Sequence, residues 1–390
     1  MKNNRTFLEK LLDGAEVEWK PLGEVTAYEQ PTKYLVSSTV YSDEFSTPVL
    51  TAGKTFILGY TDEEEGIYFA SKSPVIIFDD FTTANKWVDF DFKAKSSAMK
   101  MITSKDENIT LLKYIYYWLN TLPNNQLDSD HKRQWISNYA NKLIPIPPLF
   151  VQTEIVRILD ALTALTSELT SELILRQKQY EYYREKLLSE EELGKVGFEW
   201  KCLGETCKKV SSGGTPLSTK DEYYNGDIPW LRTQEVQFNE IWDTEVAITQ
   251  EGLDNSSAKW IPENCVIVAI SGATAGRSAI NKIPLTTNQH CCNLQIAPEY
   301  ANYRYVFHWV CKEYEKLKSL GQGARADLNS GIIKNYPIAL PPLREQHRIV
   351  SILDKFETLT NSITEGLPLA IEQSQKRYEY YRELLLNFKL

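Results

Sequence analysis

Glu154-Ile155-Val156-Arg157-Ile158-Leu159-Asp160 returns near the C-terminus as His347-Arg348-Ile349-Val350-Ser351-Ile352-Leu353-Asp354, shifted by one residue at its start. Each copy follows a proline pair, Pro147-Pro148-Leu149 in the first and Pro341-Pro342-Leu343 in the second. Proline cannot continue a helix interior, so each pair stops the block before it and a long helix follows. Downstream of the first pair the seam is Ile155, Leu159, Leu162, Thr166, Leu169, Leu173, Arg176, Tyr180, Tyr183 and Leu187. The steps alternate four and three, the spacing of a coiled coil. The second seam is Ile349, Leu353, Phe356, Thr360, Ile363, Leu367, Ile371, Ser374, Tyr378, Tyr381 and Leu385. It carries one extra step of four, between Leu367 and Ile371, at Gly366-Leu367-Pro368. Such a stutter unwinds a coiled coil locally, and the proline predicts a kink or break there. Two long helices packed antiparallel are expected.

Outward from these helices, whole units repeat. Glu18-Trp19-Lys20-Pro21-Leu22-Gly23-Glu24 recurs as Glu199-Trp200-Lys201-Cys202-Leu203-Gly204-Glu205, and Tyr180-Glu181-Tyr182-Tyr183-Arg184-Glu185 as Tyr378-Glu379-Tyr380-Tyr381-Arg382-Glu383. The repeat is circular, because Leu8-Glu9-Lys10-Leu11-Leu12 resembles Arg184-Glu185-Lys186-Leu187-Leu188. The expected parts are an N-terminal helical stub (1–16), a globular block (17–148), a central long helix (149–192), a second block (193–342) and a C-terminal long helix (343–390). Strand-like runs (Phe56–Tyr60, Pro74–Phe78, Trp87–Phe92, Cys265–Ser271, Ala279–Ile283) mix with helical stretches (Leu111–Leu122, Tyr303–Leu317). The expectation is an α+β fold with two blocks separated by two long antiparallel coiled-coil helices, the halves forming a pseudo-twofold internal repeat.

The chain has 390 residues, is 42% hydrophobic and has a net charge of −9. Residues 18–149 carry 13 Lys and Arg against 17 Asp and Glu, and residues 199–340 carry 14 against 16. A free-standing DNA binder shows a basic footprint, so any DNA reader built here needs a partner to supply phosphate attraction. No apolar run reaches bilayer length, and a cytoplasmic protein is expected. The six cysteines form no C-x-x-C pair, which predicts buried thiols and no metal site.

These residues resemble a known family. Two variable blocks, each followed by a recurring long helix, are similar to the DNA-specificity subunits of type I restriction–modification systems. In the second block Gly213-Gly214-Thr215-Pro216, Gly226-Asp227-Ile228-Pro229-Trp230, Gly272-Ala273-Thr274-Ala275-Gly276 and Asn288-Gln289 look like signposts of such target-recognition domains. Pro341-Pro342-Leu343-Arg344-Glu345-Gln346 resembles the signature opening the family's helix; Phe150-Val151-Gln152 departs from it in the first copy. The tandem Thr166-Ser167-Glu168-Leu169 and Thr170-Ser171-Glu172-Leu173 resembles the type IC branch, where copy number adjusts the DNA spacer. Four residues add about 6 Å of helix and about 40° of rotation, against roughly 35° for one base pair, so one more copy would re-phase the two blocks by about one base pair. The resemblance implies a non-catalytic subunit for host defence that binds double-stranded DNA. It also implies two methyltransferase subunits on the helices and restriction subunits joined through that core. S-adenosylmethionine would then belong to the methyltransferase, ATP and Mg to the restriction subunit, and no cofactor to this chain.

The sequence itself supports no catalytic site. It lacks an Asn/Asp-Pro-Pro-aromatic methyltransferase loop and a P-loop. Asp79-Asp80, Asp89 and Asp91 read as turn or solvent-edge groups rather than nuclease carboxylates. Base reading calls for Arg or Lys toward guanine and Asn or Gln toward adenine. Candidates are Lys93, Lys95, Lys100, Lys132 and Arg133 in the first block, and Arg232, Gln234, Arg277, Asn288, Gln289 and Arg325 in the second. Lys93 and Lys95, two apart on a strand, would share a face. Gln177, Tyr182 and Arg184, repeated as Gln375, Tyr380 and Arg382, form a candidate partner face. Plain surface solvation is the alternative for each of these. The alternative for the whole chain is a coiled-coil protein-interaction adaptor without DNA readout.

Overall fold

The seam residues Ile155, Leu159, Ile349 and Leu353 are fully buried, and helices form where the heptads place them. In the structure, a computed structural model that describes residues 6–53, 55–123, 133–321, 327–362 and 364–389, one helix runs from Leu149 to Leu187. The second seam forms two helices, Leu343–Asn361 and Leu367–Leu386. The break falls at the stutter. Gly366 has φ +86°, and a Cβ there would lie 2.6 Å from the Thr358 carbonyl oxygen, so only glycine passes under the end of the preceding helix. Pro368 then sits in the first turn of the next helix, where a missing N–H costs nothing.

Contacts divide the chain into two units, Met1–Glu168 with Ile371–Leu390, and Leu169–Ala370. The first unit contains, in chain order, β1 (Glu18–Pro21), β2 (Thr26–Glu29), β3 (Thr47–Leu50), β4 (Ile57–Thr61), β5 (Val75–Asp79), β6 (Asn85–Val88), β7 (Lys93–Ala94), β8 (Met99–Ser104) and β9 (Leu143–Ile146). Sheets form in the orders β2-β8-β5-β6 and β4-β3-β7. β1 closes antiparallel on β9, Glu18 opposite Ile146. The repeated Glu-Trp-Lys run thus seals its block against the strand that precedes the proline pair. Ile155 and Leu159 share a core with Tyr114, Trp118, Leu385 and Leu386. Further along, Thr166 and Ser374 are joined by a 2.8 Å hydroxyl hydrogen bond. One number rises as the other falls, so the two helical segments of this unit run antiparallel.

The second unit repeats the plan with β10 (Glu199–Cys202), β11 (Cys207–Ser212), β12 (Tyr224–Leu231), β13 (Asn239–Ile241), β14 (Ala247–Ile248), β15 (Trp260–Ile261), β16 (Val266–Ala269), β17 (Ser278–Asn281), β18 (Leu285–Thr287), β19 (Cys291–Ile296) and β20 (Pro337–Leu340). The sheets are β11-β19-β16-β17-β13 and β14-β12-β18-β15, with β10 closing on β20. Leu188 packs in one core with Ile349 and Leu353, and the Tyr183 ring stacks on Phe356 at 5.4 Å. These helical segments also run antiparallel.

Several expectations need correction. The Trp87–Phe92 run is a strand only through Val88, and the expected helix Tyr303–Leu317 is interrupted at Glu313. The N-terminal helix Phe7–Leu12 does not take the place of residues 184–188. Its counterpart is the short helix Glu190–Gly194: Thr6 accepts from the Glu9 N–H as Ser189 does from Glu192, and each helix leads by a short link into a Glu-Trp-Lys strand. Among the described residues no helix is long and apolar enough to cross a membrane.

Candidate nucleic-acid interface

In the second unit β12 and β18 run parallel, Leu231 opposite Thr287. Just beyond their ends the Asn288 N–H donates to the Leu231 carbonyl at 3.0 Å. The Gly214 N–H donates to the Thr287 carbonyl at 2.9 Å, and the Trp230 indole donates to the Gly214 carbonyl at 2.9 Å. A Cβ on Gly213 would sit 1.8 Å from the Thr287 oxygen, and one on Gly214 2.3 Å from the Ala258 nitrogen. That contact requires glycine. It brings the Thr215 hydroxyl onto the Gln289 amide oxygen. The turn after β16 joins the same edge. The Ile270 N–H donates to the His290 carbonyl (2.9 Å), and the Leu328 N–H to the Ile270 carbonyl (2.8 Å). Gly272 donates to the Asp327 carboxylate at 3.2 Å. Three of the four signposts therefore meet in one loop cluster. The fourth holds up its wall: Gly226 lies where a Cβ would meet the Ile248 oxygen at 2.5 Å.

The first unit builds the same edge with different residues. β3 and β7 run parallel, Leu50 opposite Ala94. The Lys95 N–H donates to the Leu50 carbonyl (2.9 Å), the Asp80 N–H to the Ala98 carbonyl (3.3 Å), and the Gln134 N–H to the Asp80 carbonyl (2.8 Å). These three bonds match those of Asn288, Ile270 and Leu328. Lys95 therefore corresponds to Asn288, the turn after Asp80 to the turn after Ile270, and Arg133 to Asp327. Asp79 shapes the turn, its carboxylate accepting from the Phe81 N–H at 2.9 Å and the Thr82 hydroxyl at 2.7 Å. This is the turn role read from the sequence.

Each block is tied to its helix by a glutamine. Gln152 is fully buried; its oxygen accepts from the Leu111 N–H (2.9 Å) and its amide donates to the Pro147 carbonyl (2.8 Å). Gln346 repeats this with the Asn302 N–H (2.9 Å) and the Pro341 carbonyl (2.9 Å). The signature's glutamine, rather than its Arg-Glu pair, fixes the helix start, so Phe150-Val151 leaves it intact. The next turns also correspond. Tyr117 donates to Asp160, and at the matching place His308 meets Asp354 at 2.8 Å and the Tyr180 hydroxyl at 3.1 Å. His308, Asp354 and Glu357 are close enough to surround a cation. The Arg304 guanidinium already pairs with Asp354 (2.7 Å), Glu357 (2.5 Å) and Glu240 (2.5 Å), so a protein cation serves there. Burial holds His308 below the ordinary histidine range, with the Asp354 bond pulling the other way. Burial also works to raise Asp354, but the bonds from His308 and Arg304 outweigh it and hold the carboxyl low.

A family model for the type I restriction modification DNA specificity domain matches residues 15–176 and again 195–373. The chain is 55% identical over 98% of its length to the EcoR124I/EcoR124II specificity subunit of Escherichia coli, covering 97% of that protein. This chain belongs to the type I specificity-subunit family. It is also 40% identical, end to end, to a putative type I restriction enzyme specificity subunit of Haemophilus influenzae. The S subunit of a type I system from M. genitalium shares the fold, with TM-score 0.64 and 13% identity over 97% of this chain and 98% of that one. As a specificity subunit the chain is the non-catalytic member of its restriction–modification complex.

The specificity subunit's expected contact residues divide sharply. Lys93 is 3% and Lys100 1% exposed. Lys93 Nζ meets Glu63 at 2.7 Å and donates to the Glu65 carbonyl at 2.5 Å, and Lys100 faces the buried Asp80 at 3.5 Å. Both are corrected to structural cations. β7 ends at Ala94, so Lys95 does not share the face of Lys93 and stands exposed. Arg133 is exposed beside the turn; Lys132 and Arg325 lie outside the described residues. Arg232 pairs with Glu245 at 2.7 Å, and Gln234, with its amide oxygen turned inward, accepts from the Arg232 guanidinium at 2.9 Å. Arg277 is half-buried, its Nε without a hydrogen-bond partner. Asn288 is half-buried and Gln289 exposed. On the helices, Gln177 and Gln375 are exposed, as are Tyr182 (58%) and Tyr380 (62%). Arg184 and Arg382 instead fold over the Tyr180 and Tyr378 rings at 5.4 and 5.7 Å. Sequence reading quoted the two glutamines and Thr215 within its motifs but gave them no role, although each glutamine stands five residues after the first proline of its pair. It did not single out Asp327, whose partner Gly272 is remote in the chain.

Proposed function

We propose that this specificity subunit reads a split, asymmetric target in double-stranded DNA, one half-site through the loop cluster of each unit. The observation that supports this most is the recurrence of three backbone hydrogen bonds that gather different exposed and half-buried side chains at the same edge. Loops on a rigid scaffold vary in side chain while their backbone frame persists, as two readers of unlike half-sites require. The repeated Tyr182-Tyr183 and Tyr380-Tyr381 pairs, each with rings 5.4 Å apart, fit two copies of one partner. We assign these to two methyltransferase subunits, which supply S-adenosylmethionine, with ATP- and Mg-dependent restriction subunits joining through that core in the cytoplasm. The net charge of −9 makes the partner necessary for tight DNA binding. The tandem Thr-Ser-Glu-Leu run, read as type IC-like, sets the spacer: residues 166–173 are helical, and another copy adds about 6 Å of helix.

Base-modification interference on the assembled complex tests the two-site reading. Modified bases should block binding in two short blocks flanking an insensitive spacer. A single contiguous block would overturn it.

A further inference from the structure

We infer that Lys95 and Asn288 read the equivalent base pair of their two half-sites, Lys95 selecting guanine and Asn288 adenine. The inference rests on the reading just proposed and names the chemistry of each half. The two residues hold one backbone position, each N–H bonded to the carbonyl that ends the neighbouring parallel strand, Leu50 or Leu231. Each is followed by a loop returning to a core strand, through Ala98 to β8 and through His290 to β19. The frame is shared and the side chains are opposite in chemistry.

In the first unit Lys95 is exposed, its ammonium 5.7 Å from the Tyr41 ring centre, with the exposed Arg133 on the neighbouring segment. These two side chains are cations, which donate and do not accept. Guanine offers two major-groove acceptors, O6 and N7, and is the base that a lysine selects. In the second unit the position holds an amide. Asn288 Oδ1 accepts from the His290 N–H at 3.1 Å, which orients the side chain and leaves the Nδ2 donors and a second oxygen lone pair for a ligand. Arg133 is replaced there by Asp327, whose carboxylate is on the Gly272 N–H, and Arg232 is held by Glu245. Among the described residues, an acid thus stands in the place of Arg133, and Arg232 is paired off. An amide that both donates and accepts matches adenine N6 and N7.

The test uses the specificity subunit assembled with its methyltransferase partner, selecting from duplex DNA randomised in either half-site. The wild-type complex should select two half-sites separated by unread sequence; failure to do so defeats the underlying two-site reading rather than this assignment. Lys95→Asn should change one base of one half-site, from guanine toward adenine, by about 5- to 150-fold in preference, and leave the other half unchanged. Asn288→Lys should do the converse in the other half. Uniform weakening across all sequences would make these residues phosphate contacts and overturn the inference, as would an unchanged selection or both variants altering the same half-site. Thermal unfolding of each variant, expected to match wild type, separates a preference change from misfolding.

Discussion

Lys95 and Asn288 occupy one position in two differently written loops: the Lys95 N–H donates to Leu50 at 2.9 Å and the Asn288 N–H to Leu231 at 3.0 Å. The identity of the side chain is free there because the backbone does the holding. Two residues before Lys95 the reverse is true. Lys93 is buried against Glu63, whose carboxyl the Lys93 ammonium and the Ser37 and Ser38 N–H groups hold below the usual range.

Lys100 separates structural from exposed lysines most sharply. It and Asp80 are both within 2% of complete burial, so Lys100→Met strands a buried carboxylate. The expected loss is about 3 kcal/mol, read as a lowered unfolding midpoint. Lys95→Met should leave the midpoint within about 0.5 kcal/mol of wild type.

The glutamine clamp is the next prediction. Gln346→Leu leaves the Asn302 N–H and the Pro341 carbonyl without their partner. Each unpaired group costs about 1–3 kcal/mol, so the second unit should melt roughly 4–24 °C lower in calorimetry. Gln152→Leu should do the same to the first unit, while Phe150→Arg, at an exposed site (59%), should change little.

His308 makes the second unit sensitive to acid. Burial lowers its pKa below the ordinary 6.5. As the pH falls through 6.5 the unfolded chain takes up a proton that the folded chain refuses, and stability drops. Asp354, held below its ordinary 3.8, stabilises the fold at neutral pH and withdraws that contribution only in much stronger acid. Glu357, in the same cluster and pushed up to about 7 chiefly by burial, takes up a proton in the folded chain as the pH falls through 7 and works the other way. The histidine's part is therefore read as a difference: His308→Gln should gain unfolding temperature relative to wild type on going from pH 7.5 to 5.5, and an equal change in both proteins would contradict the account.

Much of this was legible in the sequence. The heptads, the proline pairs and the break at Gly366 are local signals, and local sterics decide them. The pairing of Glu-Trp-Lys with the strand before the prolines was not visible, though Glu-Trp-Lys and the proline pair were each recognised as repeats. Lys93 and Lys100 were misread because their acidic partners, Glu63 and Asp80, are 30 and 20 residues away, and burial of a lysine is decided by such partners. The equivalence of Lys95 with Asn288 was hidden for a different reason: it is carried by main-chain atoms, and Lys95-Ser96-Ser97-Ala98 shares no residue type with Asn288-Gln289-His290.

The tandem repeat gives a prediction at the level of DNA. Inserting a third Thr-Ser-Glu-Leu after Leu173 lengthens the helix by about 6 Å and should lengthen the unread spacer of the methylated motif by one base pair, with both half-sites kept. An unchanged spacer would remove the ruler role from this segment.

The central claim is that one chain carries two readers. Sequencing the methylome of cells that express this subunit with its methyltransferase tests it most directly. The account predicts a split, asymmetric motif, two short halves separated by roughly six or seven unread base pairs, as expected for readers about one helical turn apart. A single contiguous or palindromic motif would contradict it.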